Sequence, residues 1–479
     1  MTWAIGATDM ADGATMDGME GMESFDAVVI GAGQAGPGVA RHLAGQGRRV
    51  ALVEADRVGG TCLNRGCRPT KAMRASARVA HVARTAAPFG VRAGPVAVDF
   101  AAVVARKDAM IDGWVDQHAE GLAATDGIDL IYGAARFTGR TDAGFGLVVG
   151  DRQLTAADVF LNVGTRAAVP PIPGLDEVEF LDNDRILHLD QLPEHLVVLG
   201  GSYIGLEFGQ MFARFGSRVT IIERGPQLAG REDPEIAAEI NRFLTVEGLD
   251  VRTRTNVERV EATDDGVRVH VDRGEAIDGS HVLVALGRTP NTDRLGLDTI
   301  GLTTDDRGYL ATDGVFRTEV DGVWALGDIN GRGAFTHTSY QDYEILVDHL
   351  SGGHRSADDR IPTYAMFTDP PLGRVGMSER EAAAAGHRVR VASYPMNQLT
   401  RAVLDGETDG LIKLVVDADT DRFLGAATLG LAGDEIVQIV SALMHANATY
   451  HVLAEMLPIH PTVAEFFPTI LGQLHDPAA

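Results

Sequence analysis

The chain has 479 residues but only two cysteines, Cys62 and Cys67. Two cysteines cannot build a disulfide framework, so the pair is either buried and inert or reactive. Lysine is almost missing as well. Lys71, Lys107 and Lys413 are the only three, and arginine carries the rest of the positive charge. Basic residues are outnumbered 42 to 67, which leaves a formal net charge of −25. So acidic a chain argues against nucleic acid or an anionic membrane as partner. No apolar run approaches the roughly 18 residues of a membrane-spanning helix. The first basic residue is Arg41, so the N-terminus lacks the charged start of a secretory signal. These absences suit a cytoplasmic enzyme, and a reducing compartment favours a catalytic dithiol over a structural one.

What the chain does have is concentrated in Gly59-Gly60-Thr61-Cys62-Leu63-Asn64-Arg65-Gly66-Cys67-Arg68-Pro69-Thr70-Lys71. On an ideal helix, residues five apart lie about 8.6 Å from each other. A disulfide needs Cα atoms within about 7 Å. A bridge between Cys62 and Cys67 therefore demands a bent turn, which Gly66 makes easier. Pro69 is expected in the first turn of a following helix and disfavours helical geometry at Arg68. Arg65, Arg68 and Lys71 place positive charge around the thiols, which favours thiolate. Two inert buried cysteines are the plain alternative; a strained, cation-flanked, closely spaced pair reads as a redox centre. In a chain so poor in lysine, Lys71 invites a role that arginine cannot fill.

Two dinucleotide-binding signatures flank this stretch. Phe25-Asp-Ala-Val-Val-Ile30 is a strand-like run, followed by Gly31-Ala-Gly33-Gln-Ala-Gly36, a helical stretch to about Gly45, and a second strand ending at Glu54. Gly31 permits the tight turn, Gly33 lets a pyrophosphate approach, and Gly36 lets helix and strand pack closely. The helix N-terminus offers N–H groups and positive dipole to phosphate, and Glu54 can accept from ribose hydroxyls. The unit recurs as His195–Leu199, Gly200-Gly-Ser202-Tyr203-Ile-Gly205, a helix to about Phe215, and a strand ending at Glu223. Gly31 to Glu54 and Gly200 to Glu223 span the same chain length, and the strand–turn–helix context makes each match strong. Ser202 stands where the middle glycine is expected. Glu223 favours a free 2′-hydroxyl, hence NADH, whereas Arg224 beside it could meet a 2′-phosphate.

Elsewhere the signals are sparser. A long amphipathic helix is expected over about 99–124. Gly322-Val-Trp-Ala-Leu-Gly327-Asp328 reads as a short buried strand whose aspartate could cap a helix or accept from a cofactor hydroxyl. Beyond residue 361 come strands such as Leu411–Val416, then helices over about 433–447 and 450–456. In the tail, His460-Pro461-Thr462-Val-Ala-Glu465 allows His460 and Glu465 to meet around a turn, and a carboxylate on one ring nitrogen orients the other for proton transfer. Residues 1–23 are Met-, Gly- and Asp-rich and read as a disordered leader. Its methionines Met1, Met10, Met16, Met19 and Met22 could hold a soft metal such as Cu(I), a floppy tail being the plainer reading.

Together these motifs resemble the FAD-dependent pyridine nucleotide–disulfide oxidoreductases, which include glutathione reductase, dihydrolipoamide dehydrogenase and mercuric reductase. The resemblance covers about residues 24–479, and its most specific element is Gly-Gly-Thr-Cys-x4-Cys-x-Pro-Thr-Lys. It implies an α/β fold with two Rossmann-like dinucleotide-binding domains, for FAD and NAD(P), plus a C-terminal α+β dimerisation domain. The implied map is a leader (1–23), an FAD domain with the cysteine pair (24–168), an NAD(P) domain (169–290), a return to the FAD domain (291–355) and a dimerisation domain (356–479). FAD contacts are implied at Gly31, Gly33, Gly36, Glu54, Gly60, Thr61, Gly164, Gly327 and Asp328. Nicotinamide-dinucleotide contacts are implied at Gly200, Ser202, Tyr203, Gly205, Glu223, Arg224 and Gly287, with Tyr203 gating the pocket. Cys67 then matches the flavin-contacting thiol and Cys62 the interchange thiol. Lys71 and Glu207 match an ion pair beside the flavin. His460, oriented by Glu465, matches a proton shuttle in a homodimer with shared active sites. No resident metal is implied.

The expected activity is passage of electrons from NAD(P)H through FAD to Cys62–Cys67 and on to a small disulfide or related two-electron acceptor. Arg231-Glu-Asp-Pro234 and Phe367-Thr-Asp-Pro-Pro371 look closest to mercuric reductases. The tail, Leu474-His-Asp-Pro-Ala-Ala, lacks the C-terminal cysteine pair that normally receives mercury there, and soft Hg(II) prefers thiolates. Arg68 also replaces a usually small apolar residue. Reduction of Cu(II) or Hg(II), dihydrolipoamide oxidation, and a flavin-bound redox or metal-binding module without turnover are the alternatives.

Overall fold

A computed structural model describes residues 22–476. Leader residues 1–21, with Met1, Met10, Met16 and Met19, lie outside the described residues, and Glu23, expected in the disordered leader, instead opens the first strand by pairing with Leu154. The chain forms two compact units, one from residues up to 60, His118–Gly164 and Pro290–Arg355, the other from Thr61–Gln117, Thr165–Thr289 and residues from 356 onward. The cysteine-bearing stretch belongs to the second.

The first unit is built on a seven-stranded sheet. Its parallel part runs Ile128–Tyr132, Val50–Glu54, Glu23–Ile30, Arg152–Leu161, with Val323–Ala325 also alongside Arg152–Leu161. Gly144–Val149 and Ala135–Thr141 extend it antiparallel. Ala27, Val28 and Val29 are fully buried, which explains why this central strand reads as a continuous apolar run rather than an alternating one. Helix Gly36–Gly45 follows the first strand directly.

The second unit contains the repeat of that device. Asp250–Arg252, Arg218–Ile222, His195–Leu199 and His281–Val284 form a four-stranded parallel sheet. Helix Tyr203–Phe215 packs against helix Cys67–Arg84 through Met73, Ala77, Phe208 and Phe212. The same unit carries a five-stranded antiparallel sheet, ordered Thr363–Met366, Leu372–Gly376, Phe423–Leu429, Leu411–Asp417, Val389–Pro395. Helix Gly433–His445 crosses that sheet so closely that a Cβ at Gly373 would lie 2.5 Å from the Gly433 carbonyl oxygen.

Most expected elements are present. The long helix spans Phe100–Ala123, and helix Gly433–His445, expected over 433–447, stops at His445 because Asn447 turns into the left-handed region at φ +56°. Two readings need correction. The helix expected over 450–456 is only His451–Ala454. Arg68 is helical despite preceding Pro69, since helix Cys67–Arg84 begins one residue earlier. The pre-proline preference is overcome by the helix's own hydrogen bonding, the Thr70 N–H donating to the Gly66 carbonyl at 3.1 Å. Among the described residues, no helix is long and apolar enough to cross a membrane.

Candidate active site

Helix Gly60–Asn64 carries Cys62, half-buried, and Cys67 opens the next helix, exposed. Gly66 makes the break between them. The Arg65 N–H still closes on the Thr61 carbonyl at 2.9 Å, while a Cβ at Gly66 would lie 2.9 Å from that same oxygen. Glycine is thus required at the bend that brings the two helical turns together. The cations around the pair are each engaged. Arg65 is 3.4 Å from Asp184, the Arg68 guanidinium lies 4.9 Å over the Trp114 ring, and Lys71 Nζ donates to Glu207 Oε2 at 2.8 Å.

Lys71 also sits 4.3 Å over the Phe367 ring, and the Phe367 N–H donates to Glu207 Oε1 at 2.8 Å. Both carboxylate oxygens of Glu207 are therefore occupied, one by a lysine and one by backbone. The chain's other two lysines are spent differently. Lys107, buried, donates to the Leu187 carbonyl at 2.7 Å, and buried Lys413 donates to Glu379 at 2.6 Å.

In the first unit, Gly31 has φ +103°, and a Cβ there would lie 2.3 Å from the Asn162 carbonyl oxygen. A Cβ at Gly36 would meet the Gly31 oxygen at 2.0 Å. Gly33 is roomier, its nearest atom being Asn162 Oδ1 at 3.2 Å. Glu54 Oε2 accepts the Ala32 N–H at 2.9 Å and Oε1 the Asp56 N–H at 3.0 Å. Burial raises the Glu54 pKa, and these N–H groups offset only part of it. Gly60, at φ +61°, presses on the same turn, since a Cβ there would lie 2.8 Å from Gly33 Cα. Asp328 is the second residue of the 3-10 turn Gly327–Asn330 and half-buried, and Leu326, not Asp328, stands at that turn's N-cap. Gly164 and Gly287 take φ of +65° and +123° at loop positions. Thr61 is half-buried at the start of the cysteine segment.

Asn162 is a residue that sequence reasoning missed. It accepts the Gly36 N–H at 3.1 Å and donates to the Leu326 carbonyl at 3.1 Å, so one buried amide links the glycine turn to the Gly327-Asp328 segment. Its only sequence signal is a polar residue ending the apolar strand Arg152–Leu161.

The second turn repeats the geometry. Gly200 has φ +110°, a Cβ at Gly205 would lie 2.1 Å from the Gly200 oxygen, and Glu223 accepts the Gly201 N–H at 2.8 Å and the Gly225 N–H at 2.6 Å. Ser202 is exposed at the helix N-cap without capping it, and Arg224 is exposed beside Glu223. Tyr203 opens the helix, half-buried, its ring 5.6 Å from that of Tyr364. Burial pushes the Tyr203 phenol up to about 12, with the charge of Glu232 adding to the shift.

His460 and Glu465 do meet, Nδ1 to Oε2 at 2.8 Å. The histidine is 72% exposed while Glu465 is 12% exposed, so the carboxylate is anchored and the ring stands out from the surface. Thr462 stiffens the turn, accepting the Glu465 N–H at 3.2 Å and donating to the Ile459 carbonyl at 2.8 Å. Leu457 and Ile459 beside it are 97% and 78% exposed.

Both turns fit a dinucleotide. Neither following helix has an acidic residue in its first turn or a side-chain cap from its N-cap residue. Phosphate charge would therefore meet unopposed helix dipole.

Residues 25–342 match the family model described as pyridine nucleotide-disulphide oxidoreductase, and residues 362–470 match that family's dimerisation domain. The chain is 36% identical over 451 residues to the probable pyridine nucleotide-disulfide oxidoreductase RclA of Escherichia coli, covering 93% of this chain and 98% of the relative. It is 33% identical over 447 residues to a mercuric reductase of Streptomyces lividans, covering 92% and 94%. It is also 33% identical over 464 residues to a dihydrolipoyl dehydrogenase of Thermus scotoductus, covering 95% and 99%. The solved structure of the HOCl-induced flavoprotein disulfide reductase RclA from Escherichia coli is similar at a TM-score of 0.84 and 35% identity, over 94% of this chain and 99% of that one. Its Cu(II) complex matches at 0.85 with the same identity and coverage.

Proposed function

The chain belongs to the pyridine nucleotide-disulphide oxidoreductase family, which is FAD-dependent and uses NAD(P)H, and from that premise we propose that it reduces a small disulfide or related two-electron acceptor through Cys62 and Cys67. The observation that carries this reading is the Gly66 break, which holds two cysteines on adjoining helical turns in a chain with two complete dinucleotide turns. FAD, when bound, supplies the exchange of a nicotinamide hydride for two electrons at the disulfide. The net change is NAD(P)H, a proton and RSSR giving NAD(P)⁺ and two RSH.

The chain's own residues take the remaining roles. Gly31, Gly33, Gly36, Glu54, Gly60, Thr61, Gly164, Gly327 and Asp328 hold FAD. Gly200, Ser202, Gly205, Glu223, Arg224 and Gly287 hold the nicotinamide dinucleotide, and Tyr203 gates its ring. With Arg224 exposed and Glu223 anchored, NADH is the favoured donor. Cys62 attacks the acceptor, Cys67 resolves the mixed disulfide, and Lys71 with Glu207 sets the charge of the electron path. His460 takes and returns a proton at Nε2, because Glu465 occupies Nδ1. The exposed His460 turn, flanked by Leu457 and Ile459, suits a homodimer in which each site draws on both chains. The cytoplasm is the matching compartment.

A second reading is reduction of Cu(II). It is favoured by the Cu(II) complex of the Escherichia coli relative. The test is oxidation of NADH and NADPH by the holoenzyme against oxidised glutathione, lipoamide, quinones, Cu(II) and Hg(II). Turnover of a disulfide should vanish in Cys62→Ser while NADH still bleaches the flavin once. Disulfide turnover that survives Cys62→Ser would overturn the reading. Turnover confined to Cu(II) would select the second.

A further inference from the structure

Arg65, Arg68 and Lys71 surround the cysteine pair, and two of the three charges are spent inside the protein. Arg65 faces the Asp184 carboxylate at 3.4 Å, and Lys71 holds Glu207 at 2.8 Å. Arg68 differs. Among the described residues no carboxylate pairs with it, and its side chain's partner is the Trp114 ring, 4.9 Å from the guanidinium. The first turn of its helix, Cys67–Arg84, holds no acidic residue either. Arg68 is exposed, as is Cys67 beside it, while Trp114 is half-buried in helix Phe100–Ala123. The ring is the anchored partner, and the guanidinium is the part that meets solvent.

An aromatic ring attracts a cation to its face without neutralising it. The N–H rim of the stacked guanidinium stays open, and that rim matches a carboxylate with two parallel hydrogen bonds. The charge also acts by contrast, because the whole chain carries −25. An anion is repelled by most of such a surface and drawn to the one of these three cations left uncompensated. Arg68 adjoins Cys67 in the chain, and the Debye length at physiological salt is about 8 Å, so its charge reaches the thiols only partly screened. The same charge repels a metal cation.

We propose that Arg68, held on Trp114, is a specificity-determining residue that recruits an anionic acceptor to the dithiol, a disulfide bearing a carboxylate. The proposal rests on the reading that Cys62 and Cys67 reduce a disulfide, and it names the class of that disulfide. Carboxylate-bearing disulfides are favoured over neutral ones, and neutral over cationic. Cu(II) and Hg(II) approach against the same charge.

The test compares kcat/KM of the holoenzyme for the disulfides of mercaptopropionate, mercaptoethanol and cysteamine, which are anionic, neutral and cationic. Wild type should prefer them in that order. Arg68→Gln should lower the anionic-to-neutral ratio roughly 10- to 100-fold, the worth of a hydrogen bond to a charged group. Taking the ratio cancels any change in thiolate fraction, which acts on all three alike. Trp114→Leu keeps the charge but removes its platform, and should lower the ratio less, in the same direction. A second measurement needs no turnover: alkylation of the reduced dithiol by iodoacetate against iodoacetamide. Arg68→Gln should lower that ratio too, and Arg68→Lys should hold it. An anionic-to-neutral ratio that Arg68→Gln leaves unchanged overturns the proposal. A full preference in Trp114→Leu removes the ring from it. If none of the disulfides turns over, the disulfide reading fails, and the alkylation ratio alone then decides whether Arg68 draws anions to the thiols.

Discussion

The two glycine-rich turns are close copies in backbone and differ where a ligand would lie. Gly31 and Gly200 take φ of +103° and +110°. A Cβ at Gly36 or Gly205 would strike the carbonyl of the turn at 2.0 or 2.1 Å. Glu54 and Glu223 each accept a turn N–H, at 2.9 and 2.8 Å. The middle position is glycine in one and an exposed serine in the other. Positions whose side chain would meet backbone admit only glycine. The middle position differs in its surroundings: a Cβ at Gly33 would lie 3.2 Å from Asn162 Oδ1, whereas Ser202 is exposed. Each turn also abuts a distant strand end, a Cβ at Gly31 lying 2.3 Å from the Asn162 carbonyl oxygen and one at Gly200 lying 2.5 Å from that of Ala285.

The largest expected effect comes from exchanging alanine for the shared glycine. Gly36→Ala should purify without flavin, read from the ratio of flavin to protein absorbance. Gly205→Ala should keep its flavin and lose reduction by NADH. Flavin loss from Gly205→Ala would break the assignment of the two turns.

Next is the far end of the second turn's helix, where Arg214, Arg78 and Arg74 converge on Asp369. Burial of Asp369 would raise its pKa, but the three arginines more than offset it and the net shift is downward. A depressed folded pKa contributes stability that is present above the unfolded pKa and lost as pH falls through the folded one. Asp369→Asn should cost about 3–5 kcal/mol near neutral pH, measured by urea denaturation, with a smaller difference at low pH. A loss that is the same at all pH values would show that shape, not charge, matters there.

A smaller effect separates the two carboxylates by the nucleotide each selects. Glu223→Gln should shift the NADH to NADPH ratio of kcat/KM toward NADPH by about tenfold, roughly 1.4 kcal/mol. Glu54→Gln should leave that ratio alone. A wild-type enzyme preferring NADPH would put Arg224 in charge of the choice.

The smallest effect concerns Glu54 itself. Its pKa is raised, chiefly by burial. The folded state then holds the proton more tightly than the unfolded state, so this group's contribution to stability falls as pH rises from the unfolded toward the folded pKa. Thermal melts of the apoprotein should show Glu54→Gln losing less stability than wild type across that acidic window. Parallel curves would mean that the Ala32 and Asp56 N–H groups hold the carboxylate as well as water does.

Motifs that are local in the chain are legible in its sequence alone. The residue patterns of both turns, of the bend at Gly66 and of the His460–Glu465 pair lie within one strand–helix–strand unit or one turn, although Asn162, far along the chain, also holds the first turn. The contacts that organise the second unit join residues far apart in the chain, and no periodicity announces them. Lys71 and Glu207 could be paired only by resemblance, and the Phe367 N–H that completes Glu207 could not be seen at all. Arg68 shows the opposite failure, where a sound local rule about the residue before proline yielded to a helix that began one position sooner.

By itself the sequence determined where chain reversals with positive φ must fall, where two cysteines can approach, and which strands are buried on both faces. These follow from sterics and burial acting over a few residues. Only the tertiary structure decided which charges are neutralised by which partners. It set Lys71 on Glu207 and three arginines on Asp369. The reason is physical: a buried charge is tolerable only when a specific opposite group is brought within hydrogen-bond distance, and that is a property of packing between distant segments, not of any one of them.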